Sequence, residues 1–174
     1  MIGLRTGRHL VDLENPKADQ IDLDAITTRL AYIRRFSGDP AALTVSQHSR
    51  LVHLLAMKAG AAPEVVTWCV CHDFHEGIIG DIPGPLKAYL REFTSALGDL
   101  EERLDAAIAM ALGVDTPSAE VRRRVGVFDR QAETLEWLYV LGFDPQPWNV
   151  WIPDYGVDLL RQVQPLVLRP EGAV

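Results

Sequence analysis

Apolar residues recur along this chain at intervals of three and four, the spacing of helices that pack by one face. Asp22-Leu-Asp24 opens the first stripe, with Asp22 or Asp24 as cap. Ile26, Leu30 and Ile33 carry it to a break at Phe36-Ser-Gly38-Asp-Pro40. Thr44 or Ser46 caps a second helix, with Val45, His48, Leu51, Val52 and Leu55 on one face and Gly60 as its stop. Pro63 opens a third through Val65, Val66, Cys69 and His72, and Gly80 with Pro83-Gly-Pro85 breaks the chain. A further helix starts near Pro85 and runs through Tyr89, Leu90 and Phe93. Leu100 to Leu112 is strongly amphipathic and stops at Gly113. Pro117-Ser-Ala-Glu begins a long helix through Val121, Val125, Phe128, Ala132, Leu135 and Leu138. A loop rich in proline and tryptophan follows from Asp144 to Pro153, and a last short helix spans Val157 to Val163.

Residues 1–20 are polar, hold Gly7, Asn15 and Pro16, and read as irregular. No repeat, low-complexity tract or alternating strand pattern of useful length is present. The expectation is an all-α, single-domain helical bundle over 1–174. Residues 1–20 form its irregular start, and 144–174 its Pro/Trp loop and C-terminal helix.

A chain of 174 residues suits one domain with a sizeable core. Seventeen basic residues against 24 acidic ones leave a net charge of −7. That balance argues against nucleic acid or an anionic membrane as partner, and still allows a small phosphorylated ligand. Cys69 and Cys71 are two residues apart, so within one helix their side chains diverge. They read as core thiols of a reducing, cytoplasmic compartment. The N-terminus lacks the apolar run of a signal peptide, and no segment is long and apolar enough to span a bilayer.

The chemistry concentrates in His72-Asp73-Phe-His75-Glu76-Gly-Ile-Ile-Gly-Asp81-Ile-Pro83. An adjacent His and Asp offer one nitrogen and one oxygen to the same divalent ion, a donor pair suited to Mn, Fe, Co or Zn. On a helix, Glu76 returns to the face of that pair. Asp81 sits just past the glycine that ends the helix. His48 lies on the apolar face of its own helix, and Asp129 follows Phe128 on a face that points to the core. A buried carboxylate is expensive unless paired or metal-bound. Taken singly, His48 reads as a satisfied core histidine, Asp129 as a partner of Arg130, and His72-Asp73 as chance adjacency. Taken in order, His48, His72-Asp73 and Asp129 on three helices make a four-ligand set. An ion so held lowers the pKa of water towards neutrality. His53 reads as surface or supporting, His75 as structural, and the Glu102–Asp105 charges as a solvated face.

This ordering resembles the HD-domain metal-dependent phosphohydrolases. The closer resemblance is to the YfbR-like 5′-deoxyribonucleotidases, whose His-Asp-x-x-Glu-x-x-x-Gly-Asp-x-x-x-Pro-x-Lys pattern is matched by His72 to Glu76, Gly80, Asp81, Pro85 and Lys87. Arg35-Phe36 matches their Arg-aromatic pair, and Thr44-Val-Ser46-Gln-His48 matches their Ser-x-x-His element in part. Gly7-Arg8 to Asp12 and Arg35-Phe36-Ser-Gly38 look like the shorter branch that includes phage dATP triphosphohydrolases. The resemblance covers roughly residues 5–140. It implies a divalent metal (Mn, Co, Zn, Fe or Mg) on His48, His72, Asp73 and Asp129. It implies that Glu76 orients or deprotonates the attacking water and that Asp81 holds the sugar or leaving side. Arg35 and Lys87 would contact phosphate, Phe36 the deoxyribose, and Pro83 the base, with Ile78 on the pocket floor. Phe74, Ile78, the stretch Glu133-Thr-Leu-Glu136-Trp137 and the Trp148/Trp151 loop depart from the family pattern.

The expected protein is thus a metal-dependent nucleotidase or dNTP triphosphohydrolase. Its partners are a small-molecule nucleotide and a second copy of itself in a homodimer or higher homo-oligomer. The competing expectation is an HD module that binds and senses a nucleotide without hydrolysing it.

Overall fold

Helices account for most of the chain, as its apolar spacing requires, and the fold is all-α apart from one small hairpin. The structure is a computed structural model that describes residues 2–144 and 150–164. The helices are Leu23–Leu30 (α1), the single turn Arg35–Gly38 (α2), Val45–Lys58 (α3), Pro63–Cys71 (α4), the single turn Glu76–Ile79 (α5), Gly84–Arg91 (α6), Ala96–Leu112 (α7), Ala119–Leu135 (α8) and Gly156–Val163 (α9). Among the described residues no helix is long and apolar enough to cross a membrane.

The starts follow capping chemistry. The Asp22 carboxylate accepts from the Ala25 amide at 3.0 Å and begins α1. Thr44 begins α3 with a reciprocal box, its hydroxyl taking the Gln47 amide while the Gln47 side chain takes the Thr44 amide. Pro63 sits in the first turn of α4, where its missing N–H is harmless.

Helices α3, α4, α8 and α9 pack around Leu51, Leu55, Trp68, Leu135 and Leu160. A second apolar cluster joins Ile26, Leu30, Val45, Ile78, Leu104 and Ile108. Helix α3 serves both: Val45 belongs to the second cluster and Leu51 to the first, with His48 between them on the same face. The free thiols Cys69 and Cys71 are buried in the first cluster, and burial pushes both up to about 12.

Several sequence expectations change. Residues 1–20 are not irregular. Gly3–Thr6 (β1) pairs antiparallel with His9–Asp12 (β2), Thr6 opposite His9, and Ala18–Gln20 forms a 3-10 turn. Gly7, at φ 58°, supplies the tight link between the strands. Only Thr6 and Val11 of the pair are buried, so four-residue strands left no alternating signal to read. Helix α1 ends at Leu30, and α6 at Arg91. The long α8 passes at Leu135 into a π-helical turn, Glu136–Val140. The helix carrying His72 does not continue to Glu76: α4 ends at Cys71 and Glu76 opens α5. The last helix begins at Gly156, one residue before the expected start. Trp148 and the tail beyond Gln164 lie outside the described residues, and Trp151 is exposed.

Helix α5 lies against α1 because Gly77 has no side chain. A Cβ there would stand 2.7 Å from Ile26 Cγ2 and 3.1 Å from Ile26 Cα. Gly77→Ala should therefore force α5 away from α1 and lower stability by about 1–3 kcal/mol, measured as a shifted urea midpoint at unchanged slope.

Candidate metal centre and cleft

The four expected donors meet. His48 comes from α3, His72 and Asp73 from the turn that closes α4, and Asp129 from α8. His48 Nε2 lies 3.0 Å from Asp129 Oδ1 and 3.8 Å from Asp73 Oδ2. His72 Nε2 lies 3.2 Å from Asp73 Oδ2 and 3.8 Å from Asp129 Oδ1. The four atoms close a ring whose edges match the roughly 3 Å spacing of donors that each sit about 2.0–2.2 Å from one ion.

Both histidines are oriented from behind. His72 Nδ1 donates to the Cys69 carbonyl at 3.2 Å, which leaves Nε2 as the lone-pair nitrogen. That Nε2 is buried without a hydrogen-bond partner. His48 is wholly buried, and its Nδ1 is hydrogen-bonded to the Glu136 carboxylate. A histidine whose far nitrogen is held by a carboxylate or carbonyl is the usual support for a metal ligand. The residues therefore fit a divalent ion. His48, His72 and Asp73 can hold one together, and Asp129 reaches both imidazoles.

Charge couples the four groups. Burial and the Arg35 guanidinium oppose a charged His48, but Glu136 and Asp129 overcome them and lift it to about 9. Burial likewise opposes a charged His72, yet Asp73 and Asp129 hold its pKa well above the usual histidine value. Burial opposes ionisation of Asp73, yet the two imidazoles pull it well below the usual carboxylate range. The carboxylates that favour a proton on each imidazole would equally favour a cation.

The ring opens into a cleft of about 240 Å³. A larger groove of about 1040 Å³ lies between the hairpin and α1, but it is open and gathers none of these groups. Arg35, Phe36, Asp81, Pro83 and Lys87 all line the smaller cleft, as does Glu76. Arg35 is ion-paired to Glu136 at 3.2 Å and to Asp73 at 3.7 Å, and is raised above its ordinary value by those carboxylates despite burial. Phe36 lies in the left-handed region at φ 54°, followed by Ser37 at φ 59°, which is strained for side-chain-bearing residues. Its ring meets Trp137 edge-on at 4.7 Å. Lys87 lies 3.0 Å from Glu101 and 3.4 Å from Glu76. Burial above all, then Asp73, pushes Glu76 up to about 8 against the pull of Lys87. Burial also raises Asp81, whose Oδ2 is buried without a partner.

Three expectations are corrected here. Ile78 is no pocket floor: it turns into the second apolar cluster, because Glu76 and Ile78 leave the short α5 in different directions. The Asp129 side chain is 37% exposed and stands at the cleft, not in the core. Asp105 is not part of a solvated face. It is buried and binds His75 at 3.0 Å and Arg122 at 3.1 Å. His53 is half-buried and faces the Val66 carbonyl, away from the ring.

Sequence reading missed Glu136, Glu133 and Arg91. Glu133 and Glu136 follow Asp129 by four and seven residues, which places all three on one face of a continuing helix. That spacing was a usable signal. Arg91, one turn after Lys87, lines the same cleft.

No protein-family model matches this chain, and a search of curated proteins finds no match.

The proton occupancy sets a pH dependence. His48 rises from 6.5 to about 9 and Glu76 from 4.5 to about 8, so the folded state keeps protons the unfolded chain releases. Their contribution is full below the unfolded values and is lost as pH rises through the folded ones. The metal-free protein should lose melting temperature between pH 6 and 9. Mn²⁺ should raise it more at pH 8.5 than at pH 6, because binding expels those protons. Equal gains at both pH values would contradict the site. Separately, Glu136→Gln should weaken metal affinity by about 10–100-fold, read by competition with a fluorescent chelator.

Proposed function

We propose that this chain is a divalent-metal-dependent phosphohydrolase of the HD-domain type, acting on deoxynucleotides. The observation that carries the reading is the ring of His48, His72, Asp73 and Asp129 opening into a cleft lined by Arg35, Lys87 and Arg91. A phosphate ester gathers negative charge on its oxygens as water attacks, and fixed cations stabilise it. Arg35 offers a planar fork for two oxygens and Lys87 a point charge.

When bound, the ion supplies positive charge that acidifies water and polarises a phosphoryl oxygen. Glu76, held near the neutral range, suits taking the proton of an attacking water. Water adds to phosphorus as the bond to the ester oxygen breaks, and that oxygen leaves with a proton drawn from solvent. Asp81, which also lines the cleft, suits the sugar or leaving side. Phe36, braced on Trp137, offers an apolar face to C2′ that disfavours a hydroxyl there. At about 240 Å³ the cleft is smaller than the roughly 300–1,000 Å³ of whole-ligand pockets, so it takes the phosphorylated end. Three cations lining one cleft favour a polyphosphate tail. Triphosphate release from a dNTP, dATP among them, therefore ranks ahead of phosphate release from a dNMP.

The test is phosphate, pyrophosphate and triphosphate release from dNMPs, dNTPs and rNTPs with Mn²⁺, Co²⁺, Mg²⁺ and Zn²⁺. Metal-dependent triphosphate release should be lost in Asp73→Ala. In Glu76→Gln, kcat should fall by about 10²–10⁴-fold while the His48–His72 centre still binds metal. Bound metal with no turnover of any nucleotide would instead point to a nucleotide-binding module.

A further inference from the structure

A second set of donors adjoins the first. Asp73, His75 and Glu76 each place a ligand atom within 4.8 Å of the others. His75 is only 6% exposed. Its Nδ1 is held by Asp105 Oδ1 at 3.0 Å, and Asp105 is fixed in turn by Arg122, 3.1 Å from its other oxygen. Neutral His75 then carries its lone pair on Nε2, and that atom is buried with no hydrogen-bond partner. Glu101 Oε1 stands 3.7 Å from it, beyond hydrogen-bond reach. Glu76 Oε2 is also buried without a partner. Two orphaned buried polar atoms in one donor cluster call for an occupant, and a carboxylate-oriented imidazole is the arrangement of a metal ligand. The occupant's sign is set by Lys87, whose Nζ lies between Glu101 at 3.0 Å and Glu76 at 3.4 Å. One ammonium there faces two carboxylates.

We propose that Asp73, His75, Glu76 and Glu101 form a second divalent-cation site, joined through Asp73 to the His48–His72–Asp73–Asp129 centre, with Lys87 holding its place until the ion binds. One imidazole among carboxylates is an oxygen-rich, hard donor set, which suits Mn²⁺ or Mg²⁺. The two imidazoles of the first centre accept Co²⁺ or Zn²⁺ as readily. Binding displaces the Lys87 ammonium into the cleft it already lines, where it faces an anion. The site concerns ion binding alone and does not depend on which reaction, if any, the first centre performs.

Mn²⁺ titration of the full chain by calorimetry, with electron paramagnetic resonance of the loaded protein, tests this. Wild type should bind two Mn²⁺ per chain with a spin-coupled spectrum, which requires no variant. His75→Gln and Glu101→Gln should each keep one ion, uncoupled. Lys87→Met should tighten the second ion about tenfold by removing a repelling charge. Wild type binding one ion, lost in Asp129→Asn but kept in His75→Gln, would overturn the second site and leave the first standing. Two ions unaffected by both His75→Gln and Glu101→Gln would overturn the assignment. Binding of no ion would remove the first centre as well.

Discussion

Glu136 is the constraint around which the site is built. Its side chain is wholly buried, and a carboxylate there survives only with partners. It has two: the His48 imidazole from α3 and the Arg35 guanidinium from α2. Three distant parts of the chain are thereby tied at one point, at the start of the π-helical turn that follows α8. Removing one partner of such a group typically costs about 3–5 kcal/mol, because the remaining charge stays buried. The same pair turns His48 Nε2 outward to the donor ring. Stability and site geometry are one interaction here.

The surroundings carry strain and close approach where the site needs them. Phe36 and Ser37 hold left-handed backbone on the cleft wall, secured at the neck by the Arg35 amide bonded to the Leu43 carbonyl and the Val45 amide bonded to the Ile33 carbonyl. The chain between α4 and α5 breaks its helix within four residues, and Gly77 lets that break press against α1. Around that break His72 and Asp73 face the first ring, while His75 reaches Asp105 and Glu76 reaches Lys87.

Polar burial also changes how single residues are understood. Asp105 reads in sequence as one charge of a solvated run, yet it anchors His75. Asp129 reads as a core carboxylate, yet it stands partly open at the cleft. Ile78 follows a catalytic-looking glutamate by two residues and belongs wholly to the core. In each case the side chain's direction depends on which neighbour its helix packs against, and local spacing carries no record of that.

Periodicity and capping residues determined the helical class and most helix starts without any structure. The order His48, His72-Asp73, Asp129 likewise pointed to side chains that the fold brings together, three of which could hold a metal ion, because ligand chemistry demands few residue types. Tertiary structure alone decided the rest. The β1–β2 hairpin was invisible because only two of its residues are buried. Glu136 met His48 only through the packing of α8 on α3, and Arg91 reached the cleft from α6, which packs on α7. The break after Cys71 and the seating of α5 on α1 left no mark in the local spacing. Local sequence sets backbone preference and polarity within a few residues, whereas the partner of a buried charge is chosen by contacts up to a hundred residues away, as between Arg35 and Glu136.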